Sequence, residues 1–242
     1  MSRDELVSVI VPVYNGARYL IEALASIQRQ RYLPIEVVIV DDGSSDGSFD
    51  LAQTFPGVSC FRQANRGAAA ARNAGIREAK GTFLAFLDAD DLWTDEKLVK
   101  QMAVIHTNSD VQLVAGRIEE FCEKPAVQGA IERRRQIGER AYTIGAMLIR
   151  RADFLRVGMM DESLTTFGEF IDWHSRAVAC GLRERVLESV VLRRRIHGDN
   201  ATLQNPDTKA SYVAAIRSHI LRNRKTPNTI AQGECQNLGD QL

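Results

Sequence analysis

The chain has no apolar run long enough to cross a bilayer as a helix; its longest, such as Ile35-Glu36-Val37-Val38-Ile39-Val40, are strand-sized. Cysteine is sparse: Cys60, Cys122, Cys180 and Cys235 are scattered with no C-x-x-C pair, which excludes a disulfide framework and a paired-cysteine zinc site. Gly (17) and Pro (6) are few enough among 242 residues to exclude collagenous and low-complexity classes. Neither charge is in excess, since 31 Lys and Arg balance 31 Asp and Glu. That balance argues against nucleic acid as a partner and against blanket binding to a membrane. Met1-Ser2-Arg3-Asp4-Glu5 lacks the apolar stretch of a signal peptide. The expectation is a soluble cytoplasmic globular protein, with 45% apolar residues to fill a core.

What is present is an alternation of strand, turn and helix. Val7 to Val11 reads as a buried strand ended by Pro12, followed by a helix from Tyr19 to Gln30 with apolar spacing at Leu20, Ala23, Leu24 and Ile27. Glu36 to Val40 is a β-branched strand of the kind covered on both faces. A helix should begin after the N-cap-rich turn at 41–48. Val58 to Phe61, an Ala-rich helix from Gly67 to Ala79, and a strand from Thr82 to Leu87 complete the regular half. The pattern predicts an α/β fold with a mostly parallel central sheet flanked by helices. Beyond it, a helix from Trp93 to Ile105 capped by Thr94 and a strand from Val111 to Ala115 are expected. Residues 117–140 read as an excursion over the sheet. Helices at Arg151–Val157 and Ile171–Ala179, a strand at Val190–Ile196 and a helix at Lys209–Asn223 follow, then a polar tail at 225–242.

Each of the first four strands ends in a polar or Gly-rich cluster: Pro12 to Gly16, Asp41 to Ser48, Asn65 to Gly67, and Asp88 to Asp91. In a parallel sheet these are all carboxyl ends, the edge where open α/β folds bind ligands. Neither G-x-x-x-x-G-K-[ST] nor G-x-G-x-x-G is present. Instead, segments 41–50 and 88–96 hold nine carboxylates and no Lys or Arg. Carboxylates cannot grip a phosphate, but Asp88 and Asp90 can hold Mg²⁺ or Mn²⁺, which bridges to a diphosphate. Gly43-Ser44-Ser45-Asp46-Gly47 also matches the nucleophile elbow of α/β-hydrolases. Only two strands precede it, and that reading leaves residues 88–91 without a task. A nucleotidyltransferase would share the acidic site but carries a Gly-rich basic loop after its first strand, which Pro12-Val13-Tyr14-Asn15 is not.

The segments Val9 to Asn15, Val38 to Asp46, Asn65-Arg66-Gly67 with Ala71 to Gly75, and Phe86 to Asp91 occur in an order that resembles family-2 inverting glycosyltransferases of the GT-A fold. The likeness runs from residue 7 to about residue 200. It implies one GT-A domain over 1–224, with a Rossmann-like nucleotide-sugar half at 1–115 and an acceptor half at 116–224. It also implies a nucleotide-sugar donor, UDP-linked, and an acceptor that the residues do not name. Peripheral membrane contact stays open. Pro12, Val13, Tyr14 and Asn15, with Asp41 or Asp42, would surround base and ribose. Asp88 and Ala89 would lie by the ribose, Asp90 on the metal with Asp88 close by, and Asp91 would orient the loop. Arg66 and Arg72 would approach the donor. In Leu192 to Asn200, which resembles the family's Arg-x-His stretch, His197 would face the metal and Arg195 the leaving phosphates. The family's base is the Asp of a Glu-Asp pair before a helix; here Phe170 holds that position, so Glu169 or Asp172 must serve. A catalytically degenerate nucleotide-sugar binder is the alternative that Phe170 raises.

Overall fold

The computed structural model describes residues 5–122, 143–164 and 168–197, together with Asn200, Val213 and Arg217. In chain order the strands are β1 (Val7–Val13), β2 (Ile35–Asp41), β3 (Val58–Arg62), β4 (Phe83–Phe86), β5 (Leu92–Trp93), β6 (Leu113–Cys122), β7 (Leu148–Arg150) and β8 (Glu184–Ile196). The helices are α1 (Ala17–Gln28), α2 (Ser48–Gln53), α3 (Ala68–Glu78), α4 (Lys97–Thr107), α5 (Arg151–Val157) and α6 (Gly168–Ala179), with a 3-10 turn at Ile144–Ala146.

All eight strands join one sheet in the order β3-β2-β1-β4-β7-β6-β8-β5. The β3, β2, β1 and β4 ladders are parallel, as is β6 with β8; β7 runs antiparallel between β4 and β6, and β5 antiparallel to β8. Side chains alternate across β1 with period two. Val7, Val9, Val11 and Val13 enter one core with Leu20, Leu24 and Ile27 of α1 and Leu98, Met102 and Ile105 of α4. Ile10 enters the other, with Ile76 of α3, Phe154 of α5 and Phe170 and Trp173 of α6. The result is a sheet between two helical layers. The layer carrying α3 lies close: a Cβ on Gly75 would stand 2.5 Å from Ile10 Cγ2.

Three expectations need correction. β1 does not stop at Pro12 but continues to Val13. Even-numbered residues of β1 bond toward β4, and that ladder ends at Ile10–Phe86, so proline's missing N–H forfeits no bond. Trp93 belongs to β5 rather than a helix, and α4 begins only at Lys97. Its backbone N–H donates to Ser26 Oγ (3.1 Å) and its indole Nε1–H to Gly145 O (3.1 Å), while Thr94 Oγ1 donates to Val190 O instead of capping a helix. The strand expected at 111–115 is β6, which extends through residues 117–122 of the expected excursion. Residues 123–140 of that excursion, the tail at 225–242 and, apart from Val213 and Arg217, the helix at 209–223 lie outside the described residues.

Beneath β5 sits a buried lysine. Lys97 is wholly buried; its Nζ donates to Gln101 Oε1 (2.7 Å) and Met147 O (3.1 Å) and stands 4.3 Å from the centre of the Trp93 ring. Burial pushes its pKa well below the usual value. Gln101 Nε2 donates onward to Val114 O and Ala146 O, joining α4 to β6 and the 3-10 turn.

Candidate active site

The two acids at the end of β2 are adjacent, and strand geometry turns them in different directions. Asp42 points at the entrance of α3: Oδ1 accepts from Gln63 Nε2 (2.8 Å) and the Arg66 amide (2.9 Å), and Oδ2 from the Gly67 amide (2.7 Å). Gly67 is in the positive-φ region at 92°, which favours glycine there. Both Asp42 oxygens are thus occupied in holding the turn. Asp41 is buried, and its Oδ2 takes the Ser44 amide (3.2 Å) and Arg62 Nε (3.1 Å). Its Oδ1 is buried with no partner among the described residues.

The loop after β1 is laced to the loop after β2. The Asn15 amide donates to Ser44 Oγ, the Gly16 amide to Ser48 Oγ and the Ala17 amide to Asp46 Oδ2, while Asn15 Oδ1 accepts from the Ser45 amide. Burial opposes the Asp46 charge, but hydrogen bonds from Ser48 and the Ala17 amide hold its carboxyl below the usual range. Ser45, the would-be elbow serine, turns its Oγ to Asn15 Oδ1 at 3.4 Å. Pro12 and Val13 form the floor of this edge, and Tyr14 projects with 56% of its surface exposed. Ala89 is packed beneath the same loop, since a Cβ on Gly16 would lie 3.2 Å from its own Cβ.

The Asp88-to-Asp91 turn is held from far along the chain. Asp91 Oδ1 accepts the Arg195 amide (2.9 Å), and Asp90 O accepts Arg195 Nε (3.1 Å). Burial, with the charges of Asp90 and Asp88 beside it, raises the Asp91 pKa well above its usual value. The Arg195 guanidinium is itself buried between the rings of Tyr19 and Phe121, at 4.6 and 4.8 Å, and reaches Glu22 at 2.7 Å. Its neighbours Arg193 and Arg194 pair with Glu119 and Glu120, their register partners on β6. Asp90 Oδ2 lies 3.0 Å from His197 Nε2 and accepts Asn200 Nδ2 at 3.1 Å.

That last spacing allows a test of the cation. Two ligands on an octahedral Mg²⁺ or Mn²⁺ at about 2.1 Å and right angles stand about 3 Å apart, as Asp90 Oδ2 and His197 Nε2 do. Among the described residues no three His, Cys, Asp or Glu side chains converge as a metal cage. A cation here would complete its shell from water and substrate phosphate, the usual habit of Mg²⁺.

Across the turn, Arg72 on α3 is buried and bridges two acids. Its Nη2 donates to Asp88 Oδ1 (2.6 Å) and its Nη1 to Glu169 Oε1 (2.9 Å). Burial disfavours the guanidinium charge, but the two carboxylates outweigh it and its pKa is raised. Glu169 stands in the first turn of α6, and its Oε2 is buried with no partner among the described residues. The helix shows two stripes. Phe170, Trp173 and Ala177 enter the core, whereas Glu169, Asp172 and Arg176 form a polar stripe at the same spacing. Glu169 and Asp172 nevertheless have separate partners: Asp172 Oδ2 accepts Arg176 Nε at 2.9 Å, and Arg176 donates to Val157 O and Met159 O. Arg66, 61% exposed at its side chain, reaches Glu162 rather than a strand-end acid.

The expected residues therefore gather into one edge containing Asp41, Asp88, Asp90, His197, Arg72 and Glu169. Asp42, Asp172 and Arg195 are engaged in holding it. Arg62 was not anticipated; its register opposite Asp41 was the available signal. Asn200, which bonds Asp90, closed the Arg-x-His stretch without being singled out.

A family model described as "Glycosyl transferase family 2" matches residues 8–158, so Glu169, Arg195 and His197 fall beyond the matched span. The chain is 36% identical over 125 residues to the glycosyltransferase GlyG of Streptococcus pneumoniae, covering 50% of this chain and 41% of GlyG. It is 27% identical over 241 residues to a glycosyltransferase of Rickettsia bellii, covering 91% of this chain and 33% of that protein. Against these relatives it thus spans only a third to two fifths of their length. Among solved structures, it is similar to S. aureus TarS 1-349 in complex with UDP-GlcNAc (TM-score 0.74, 19% identity, 89% of this chain and 65% of that one). It is also similar to the mannosyltransferase PcManGT of Pyrobaculum calidifontis in complex with GDP-Man and Mn²⁺ (TM-score 0.68, 21% identity, 92% and 65%).

Proposed function

Because the chain belongs to glycosyl transferase family 2, we propose that it transfers a sugar from a UDP-sugar to an acceptor hydroxyl with inversion, using Glu169 as base. Its α/β architecture is that of its GT-A structural neighbours. The observation that carries the proposal is a pair of buried carboxylate oxygens without partners, Asp41 Oδ1 at one end of the edge and Glu169 Oε2 at the other. A buried acceptor with no donor is costly unless a ligand supplies one.

Asp41 Oδ1 suits the ring N–H of uracil. Guanine offers a similar N–H, whereas the ring nitrogens of cytosine and adenine at that edge are acceptors. Tyr14, exposed above the same loop, provides a face for the base. The Asp41–Arg62 pair and the Asn15–Ser45 lacing fix this end before the nucleotide arrives. Asp88 faces the ribose, and Asp90 with His197 would hold Mn²⁺ or Mg²⁺. Bound there, the cation would stabilise negative charge on the leaving diphosphate.

At the other end, Glu169 accepts the proton of the acceptor hydroxyl at Oε2 as the oxygen attacks the anomeric carbon. Oε1 stays on Arg72, which holds the carboxylate oriented. Phe170 does not obstruct this reading, because its stripe of α6 faces the core while that of Glu169 faces the site. Asp172 and Arg195 act through others: Asp172 fixes Arg176 and the loop at Val157 to Met159, and Arg195 fixes the carboxylate turn. We place the nucleotide half at residues 1–115, the acceptor half at 116–224 and the reaction in the cytoplasm. No described helix is long and apolar enough to cross a membrane.

The test is release of UDP from UDP-GlcNAc, UDP-glucose and UDP-galactose with Mn²⁺, in parallel with GDP-mannose. UDP release that needs the cation and is lost in Glu169→Gln is the expected result. Nucleotide binding without release from any donor would leave only a binding protein.

A further inference from the structure

One side chain joins the two ends of this site. Arg72 has only 6% of its side chain exposed, and its two terminal nitrogens bond Asp88 at 2.6 Å and Glu169 at 2.9 Å. Both terminal nitrogens are thus already bonded, and little of the side chain is left to greet a phosphate. The next residue, Asn73, bonds both backbone groups of Met160 and the Glu162 carboxylate, so this stretch of α3 is anchored against the acceptor half. Asp88 is 38% exposed and lies on the nucleotide edge; Glu169 is 5% exposed and lies across from it.

We infer that Arg72 is a positioning residue that couples nucleotide binding at Asp88 to the alignment of Glu169. This rests on the transfer reaction proposed above. A guanidinium presents its donors in one rigid fork, so the two carboxylates share a single cation. When the nucleotide engages Asp88, that carboxylate loosens its hold on Arg72, and the guanidinium turns its donors more fully to Glu169 Oε1. The base, whose Oε2 is already without a partner among the described residues, is then held more firmly while a donor is present. Coupling between sites is reciprocal. Weakening the bond between Arg72 and Glu169 must therefore strengthen its grip on Asp88 and make the nucleotide compete for that acid.

The reciprocity yields a result opposite to simple electrostatics. Glu169→Gln removes a negative charge near the site of an anionic ligand, and on charge alone UDP should bind more tightly. With coupling through Arg72, Glu169→Gln weakens UDP binding in the presence of Mg²⁺ about fivefold or more, read by titration calorimetry on the full chain. In an Arg72→Lys background, where one ammonium cannot bridge both acids, the same Glu169 change no longer weakens UDP binding. Arg72→Lys itself lowers kcat for UDP release from UDP-GlcNAc about tenfold or more while KM moves less.

Unchanged or tighter UDP binding by Glu169→Gln overturns the coupling. So does an Arg72→Lys variant whose KM rises with kcat preserved, since that is the behaviour of a plain donor ligand. If Arg72→Lys does not fold, the UDP affinity of Glu169→Gln alone decides. A wild-type protein that binds UDP but releases none from a sugar donor defeats the transfer reaction, and the affinity measurements still judge the coupling separately.

Discussion

Asp41 and Asp42 are neighbours of one chemical type, and Asp→Asn at each should separate binding from folding. Asp42 Oδ1 takes the Gln63 side chain and the Arg66 amide, and Oδ2 takes the Gly67 amide. An asparagine amide must turn its NH₂ toward one side, so at least one charge-assisted bond becomes two donors facing each other. Such bonds contribute about 1.5–3 kcal/mol each, and the donor left facing a donor adds to that. We expect Asp42→Asn to cost about 2–4 kcal/mol, a melting-temperature fall of about 5–15 °C for a domain of this size. In Asp41→Asn the amide oxygen can keep the Ser44 amide and Arg62, placing NH₂ where Oδ1 stood without a partner. The half-exposed Arg62 pair is worth little, so stability should change by less than about 1 kcal/mol. Binding should behave otherwise. An NH₂ group facing a uracil N–H forfeits a bond to a charged acceptor, about 1.5–3 kcal/mol, which weakens UDP binding roughly 10- to 150-fold. Differential scanning fluorimetry and UDP titration on both variants check the pair. Full UDP affinity in Asp41→Asn, or an unchanged melting temperature in Asp42→Asn, would refute the assignment of the two acids.

Four further outcomes follow from the geometry. Glu169→Gln should lower kcat for UDP release about 10²- to 10⁴-fold with the far-ultraviolet circular dichroism spectrum unchanged; turnover within a factor of three would exclude it as base. Chelation by EDTA should stop release and Mn²⁺ restore it, with His197→Ala needing about tenfold more Mn²⁺ for half-maximal rate. Equal Mn²⁺ dependence in both proteins would remove His197 from the metal. For Lys97, the folded pKa lies well below 10.5, so just below pH 10.5 the unfolded chain carries a proton that the folded one lacks. Stability contributed at this position is therefore lost as pH falls, by about 1.4 kcal/mol per unit, until the folded pKa is passed. Chemical denaturation of wild type and Lys97→Met from pH 9 to 10 should show that difference in slope, and parallel lines would mean a charged Lys97. Gly75→Ala drives a methyl against the β-branched Ile10 and should cost about 1–3 kcal/mol, read from the same denaturation curves.

The nucleotide half was legible because β1 and β2 are rich in β-branched residues, β4 is wholly apolar, and the turns are rich in capping residues. The acceptor half hid its long strand, since Glu119 and Glu120 resemble a solvated loop until Arg193 and Arg194 stand beside them in register. Trp93 carried the apolar character of a helix start, and only the distant Ser26 and Gly145 disclose that it is a strand residue. At the site, the residue types and the edge they share could be read from spacing. Which of two adjacent aspartates turns inward could not, because that depends on strand register. The burial of Arg72 depends on Glu169, 97 positions later, and no local pattern announces it.

The carboxylate turn at Asp88 to Asp91 is oriented by Arg195 and His197, partners 104, 105 and 107 positions further on. A ribosome that has released only the first 160 residues has therefore delivered β1 to β4 and every acid of the nucleotide edge, yet nothing that aims Asp90. Loop closure over such a distance comes late. Cation affinity at Asp90 should thus appear only when β8 docks beside β6, after the base end around Asp41 is in place. A chain cut before β8 would then keep the geometry of the base end and lose that of the Asp90 end, so the two can be separated by truncation.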